Sequence, residues 1–155
     1  MARMKKRFEP FTDSVLGEVS FDPKRAYWRF NLLLRCGKTV PGTITPEDDR
    51  LPLHVQGLDQ IVKRVAWLVE HEEAIRRRVA EKLFPRWMED WFDPDESTVS
   101  TVDEFAGAIT PRAVDIIEDL HPGLIYDDAE LYGGHAIVVT IGDEQEFIYE
   151  PRIGG

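Results

Sequence analysis

The hydrophobic period of this chain switches from two to helical and back, and that switch limits the fold more than any single motif. Ala26, Trp28, Phe30, Leu32 and Leu34 alternate with Tyr27, Arg29, Asn31, Leu33 and Arg35, the pattern of a long strand with one buried face. From Val55 to Phe84 the apolar positions Leu58, Ile61, Val62, Val65, Leu68, Val69, Ile75, Val79 and Leu83 fall at helical spacing. Beyond them strand-like runs return. Strands, then helices, then strands predict an α+β fold, with a mostly antiparallel sheet packed against a central helical hairpin.

Local signals fill in that outline. Val15 to Phe21 reads as a strand, followed by an Asp22-Pro23 turn. Cys36-Gly37-Lys38 turns the chain into Thr39 to Thr45, where Pro41 predicts an edge position or a short strand. The N-terminal third is then an antiparallel meander. The helical stripe slips near His71-Glu72-Glu73, which leaves two helices or one bent helix open. Pro85 interrupts the pattern, with Trp87, Met88, Trp91 and Phe92 as a short helix or an apolar cap. Thr101-Val102-Asp103-Glu104 has the form of a capping box and predicts a brief helix from Val102 to Ala108. Strands are expected over Ala113 to Leu120, Leu124 to Tyr126, His135 to Ile141 and Glu146 to Tyr149, the last two joined by a turn at Gly142-Asp143-Glu144.

A length of 155 residues suits one domain spanning 1–155, with residues 1–10 as a flexible basic arm. At 43% hydrophobic residues a packed core is expected despite a net charge of −10. No apolar run approaches the roughly 20 residues that cross a bilayer, and MARMKKRF lacks the apolar segment of a secretory signal. Cys36 is the single cysteine and has no internal partner. A cytoplasmic protein without disulfide or membrane contact is expected.

Charge is segregated along the chain. Met1 to Met88 carries 17 Lys and Arg against 12 Asp and Glu, a net of +5, whereas Glu89 to Gly155 carries 2 against 17, a net of −15. A field that steep repels acidic molecules and steers basic ones. Nucleic acid is an unsuitable partner, because the acidic half repels phosphates that the Arg3, Lys5, Lys6 and Arg7 arm and the Arg76 to Arg78 patch would attract.

Motifs of chemistry fail on inspection. Gly37-Lys38-Thr39 lacks the upstream glycine of a phosphate loop, since Leu32 stands there, and His71-Glu72 lacks the second histidine of a zinc helix, since Ile75 stands there. His71, Glu72 and Glu73 then read as a solvated helix face with Arg76 and Arg77 as ion-pair partners one turn on. Gly133-Gly134-His135 places a histidine near Asp127, Asp128 and Glu130, a pairing capable of acid–base work. No nucleophile accompanies it at a recognisable spacing, so a histidine hydrogen-bonded to the backbone is the expected role. The acidic runs Asp93-Pro94-Asp95-Glu96 and Asp127-Asp128-Ala129-Glu130 lack the spacing of a calcium loop. No catalytic residue, cofactor or metal is assigned.

Val15-Leu16-Gly17 before a Trp-containing strand, together with Leu124-Ile125-Tyr126-Asp127-Asp128 and Leu131-Tyr132-Gly133-Gly134-His135-Ala136-Ile137-Val138-Val139, resembles uncharacterised bacterial α+β domains found beside polymorphic toxins and considered immunity proteins. The resemblance implies that Tyr132, Gly134 and His135 are fold-forming positions. It also implies stoichiometric occlusion of a toxin or effector domain with a basic surface, which an acidic inhibitor would meet quickly. The partner-binding residues expected are Asp93, Asp95, Glu96, Asp127, Asp128, Glu130 and Tyr132, with Trp91 and Phe92 assigned to the core ahead of Tyr132. A small enzyme built on His135 and nearby carboxylates, or a soluble scaffold subunit, is the alternative. A homodimer through the apolar helix face is compatible with every one of these readings.

Overall fold

Strict alternation holds in the strand that runs Tyr27–Leu33, where Trp28, Phe30 and Leu32 are buried and Arg29, Asn31 and Leu33 face out. The same alternation builds a whole sheet. The computed structural model describes residues 8–117, 121–143, 146–147 and 151–154. Among them, eight strands follow one another across a single sheet: β1 (Phe11–Asp13), β2 (Gly17–Asp22), β3 (Tyr27–Leu33), β4 (Thr39–Ile44), β5 (Thr110–Ile116), β6 (Pro122–Asp127), β7 (Ala136–Thr140) and β8 (Arg152–Gly154). All neighbours pair antiparallel except β4 and β5, which are parallel. A parallel step needs a crossover, supplied by α1 (Leu58–Asp90) and α2 (Val102–Ala108). The fold is α+β: two antiparallel meanders joined through a helical layer that covers one face.

α1 is one helix, which resolves the alternatives left open at residues 71–73 and at Pro85. Its buried positions Ile61, Val65, Leu68, Glu72, Ile75 and Val79 are spaced four and three in turn, so the stripe slips only because a polar residue occupies one of its places. Glu72 is therefore not on a solvated face; it is 2% exposed and accepts a hydrogen bond from the Tyr126 hydroxyl at 3.1 Å, with Arg76 Nε 3.3 Å away. Burial pushes its carboxyl above the usual range, against the pull of Arg76 and Tyr126. Pro85 lies inside the helix on an exposed side, where water can satisfy the carbonyl that its missing N–H leaves free. The apolar stripe of α1 is buried in the core it forms with the sheet.

β4 is internal rather than an edge. Its ladder with β5 begins only at Gly42, one residue beyond Pro41, so the missing N–H falls outside that pairing. Gly42 is required for another reason: a Cβ there would stand 2.2 to 2.7 Å from the Phe30 ring. α2 forms where the capping box places it, with Glu104 N–H donating to Thr101 Oγ1 at 3.1 Å and the Glu104 carboxylate accepting from the Thr101 hydroxyl at 3.1 Å. β1 and β8, each of three residues, were not signalled by the sequence. The turn after β7 is closed by Gly142 N–H to Glu146 O at 2.9 Å and by pairing of Ile141 with Phe147. Residues 1–7 of the expected arm, residues 118–120 and 148–149 of two expected strands, and Glu144 lie outside the described residues.

Candidate functional site

The candidate site forms where the end of α1 meets the loop after β6. Trp87 and Trp91 stand one helical turn apart and do different work. Trp87 is 2% exposed, and its indole N–H donates to Leu131 O at 2.8 Å, which ties the loop to the helix. Trp91 is 51% exposed and meets the Tyr132 ring edge-to-face at 5.4 Å. For Trp91 the order expected from the sequence is reversed: Tyr132 is 4% exposed and belongs to the core, while Trp91 lies at the surface; Phe92 is half-buried and packs edge-to-face on Trp87. Burial, then the Asp128 charge, pushes the Tyr132 hydroxyl up to about 12.

The loop itself is organised by Asp128. Its carboxylate, 3% exposed, accepts from the backbone N–H groups of Glu130, Tyr132, Gly134 and His135 at 3.0 to 3.1 Å. The tight path this imposes uses left-handed backbone at Ala129, Glu130, Gly133 and Gly134. Asp128 is thus a structural anion inside the loop, with little side-chain surface to offer a partner. His135 Nδ1 lies 2.7 Å from Tyr132 O, so that nitrogen donates its proton to the carbonyl. The contacts of His135 are with the backbone of its own loop and with Asp128, whose carboxylate accepts its backbone N–H at 3.0 Å.

Asp93, Glu96 and Glu130 come together with Trp87, Trp91 and Leu131 around a groove of about 320 Å³. Asp93 also stiffens its own loop, accepting the Asp95 N–H at 2.9 Å through its side chain and the Ser97 N–H at 2.8 Å through its carbonyl. Asp95 is exposed on that loop but does not line the groove, and Asp127 is exposed at the end of β6, where its carboxylate accepts the Ala129 N–H at 2.8 Å. Of the seven partner-binding residues expected, five are at the surface and three of those share the groove. Trp91 and Leu131 are the parts sequence reasoning missed. An i, i+4 pair of tryptophans is an apolar-stripe signal, and only the end of the helix after Asp90 exposes the second of them.

An indole flanked by carboxylates can hold a cationic or amphipathic side chain: the ring face attracts a cation, and the carboxylates accept its hydrogen bonds. A second concavity, about 240 Å³, is lined by Lys63, Arg64 and Trp67 of α1 and by residues 141–143. There Arg64 Nε is 2.7 Å from Asp143 and holds that carboxyl below its usual range. Among the described residues no group of three His, Cys, Asp or Glu side chains is placed to hold a metal ion, and no helix is long and apolar enough to cross a membrane.

Comparison with curated proteins and with solved structures gives no match. The model of the family DUF2262, described as an uncharacterized protein conserved in bacteria, matches residues 13–150, from the end of β1 to just short of β8. With nearly the entire fold inside that match, the chain belongs to the bacterial family DUF2262.

Proposed function

We propose that this chain works by binding, as an immunity protein that neutralises a cognate bacterial toxin or effector by stoichiometric occlusion. The observation that carries the reading is the groove at the end of α1, where exposed Trp91 stands among Asp93, Glu96 and Glu130. Charge alone sets the rate and selectivity of association, while tight binding needs an aromatic anchor in a concave site. This groove offers both. Its loops are held in advance by Asp128 and by the Trp87 bond to Leu131, which lowers the ordering cost of binding.

The partner is a protein domain with a basic surface, of the kind that acts on nucleic acid or nucleotides. Its basic cleft would be covered by the acidic groove, with a Lys or Arg side chain over Trp91. Tagged protein and the variant Asp93→Lys/Glu96→Lys/Glu130→Lys should be used in parallel to capture partners from the native bacterium. Wild type should retain a basic effector in a 1:1 complex that abolishes its activity, and the variant should not. Equal capture by both proteins, or a captured effector that stays active, would contradict the reading.

A further inference from the structure

The face of the sheet turned away from α1 has no helix or strand over it among the described residues, and its residues can be read row by row from the ladder. Asn31 pairs with Pro41, Ala113 with Ile125, Ile125 with Val138 and Val138 with Arg152, while Gly42 opposite Val114 sets Pro41 beside Ala113. On the other side, Ser20 opposite Arg29 sets Glu18 beside Asn31. One row therefore runs from an acid at Glu18, through Asn31, Pro41, Ala113, Ile125 and Val138, to a base at Arg152. We infer that this open face is the interface between two copies of the chain, related by a two-fold axis that runs along β5.

An interface of that symmetry must be complementary to itself, and the row meets the condition. Rotation about β5 lays β2 of one copy over β8 of the other, β3 over β7, and β4 over β6. Glu18 then faces the second copy's Arg152, and the reciprocal pair forms at the other end. Asn31 meets Val138, Pro41 meets Ile125, and Ala113 meets its own equivalent. Leu33 on β3 is 63% exposed; it would lie over β7, where Ala136 leaves room for it. Short side chains along the centre suit sheets packed about 10 Å apart.

Charge favours a second copy over other occupants of this face. The chain carries −10 overall, yet here Glu18, Asp22, Asp115 and Asp127 are mixed with Arg29 and Arg152, Arg29 pairing with Asp22 at 3.2 Å, and Thr43 donates to Asp115 at 2.7 Å. A face of mixed sign, with an acid at one end and a base at the other, complements its own copy better than it does a partner of one sign. The groove at the end of α1 lies on the other layer, so each copy would keep it open.

Sedimentation velocity on the full chain across a concentration series tests this. Wild type should be a dimer; Glu18→Arg and Arg152→Glu should each weaken association about tenfold or more, and the double charge swap should restore it. Leu33→Asp, at an exposed position, should also give monomer and keeps the test open if either charge variant melts early. A wild-type monomer throughout, a dimer indifferent to both single changes, or a folded double variant that stays monomeric would overturn the inference.

Discussion

Asp128 gives its carboxylate to four backbone amides, so its removal should be felt as lost stability well before any loss of binding. Asp128→Ala leaves buried donors unpaired, at a cost of about 3 kcal/mol, and should lower the urea midpoint accordingly. A change within error would mean the loop holds itself without that anion. Glu72 gives a pH signature. Because burial raises its carboxyl in the folded chain above the unfolded value of 4.5, its contribution to stability is present at acid pH and is lost as pH rises through the folded pKa. Glu72→Gln removes that loss, so the stability of the variant relative to wild type should grow from pH 4.5 toward neutral. A constant or shrinking difference, measured by urea unfolding at both pH values, would contradict the burial argument. At this scale the sequence was partly legible: it marked the acidic runs and the structural histidine, but not burial. Asp128 and Tyr132 looked like surface because their neighbours are polar, and Glu72 because its own type is. Tyr132 packs against Trp91 and Phe105, Glu72 lies under Tyr126 of β6, and Asp128 is enclosed by its own loop, arrangements that no local spacing records.

Element boundaries follow local chemistry where a local signal exists. The capping box placed α2, and alternation placed β3, because both are effects of near neighbours. β1, β8 and the internal position of β4 depend on pairing between distant segments and were not legible in short windows. The continuity of α1 is of this kind, since packing on the sheet outweighs the local cost of Pro85. If the helix is continuous, Pro85→Ala restores a missing N–H on an exposed face and should stabilise the chain by about 1–2 kcal/mol, less than the full helix penalty of proline because the unfolded chain also gains freedom. Lower stability in thermal melts would show that the proline instead marks a break. In the sheet, Gly42→Ala drives a methyl into the Phe30 ring and should cost about 1–3 kcal/mol as overpacking. Pairing it with Phe30→Leu should recover part of that loss, and a purely additive double mutant would contradict the contact.

Across the whole molecule, charge and fold separate into layers. The acidic C-terminal half of the sequence supplies Asp93, Glu96 and Glu130 from two loops that only tertiary packing brings to one groove. The sequence foretold the acidity, and the end of α1 decided where it is concentrated. A net charge of −10 should make association with a basic domain fast and strongly dependent on salt, whereas Trp91 should govern how slowly the complex comes apart. Trp91→Ala should therefore raise the dissociation rate about tenfold or more with little change in the association rate. The most direct test is capture from the native bacterium at low and at high salt by wild type and by the Asp93→Lys/Glu96→Lys/Glu130→Lys variant. Occlusion through the groove predicts a basic effector bound and silenced by wild type, less of it at high salt, and none on the variant. The same effector recovered equally on both proteins, or none on either, would contradict it.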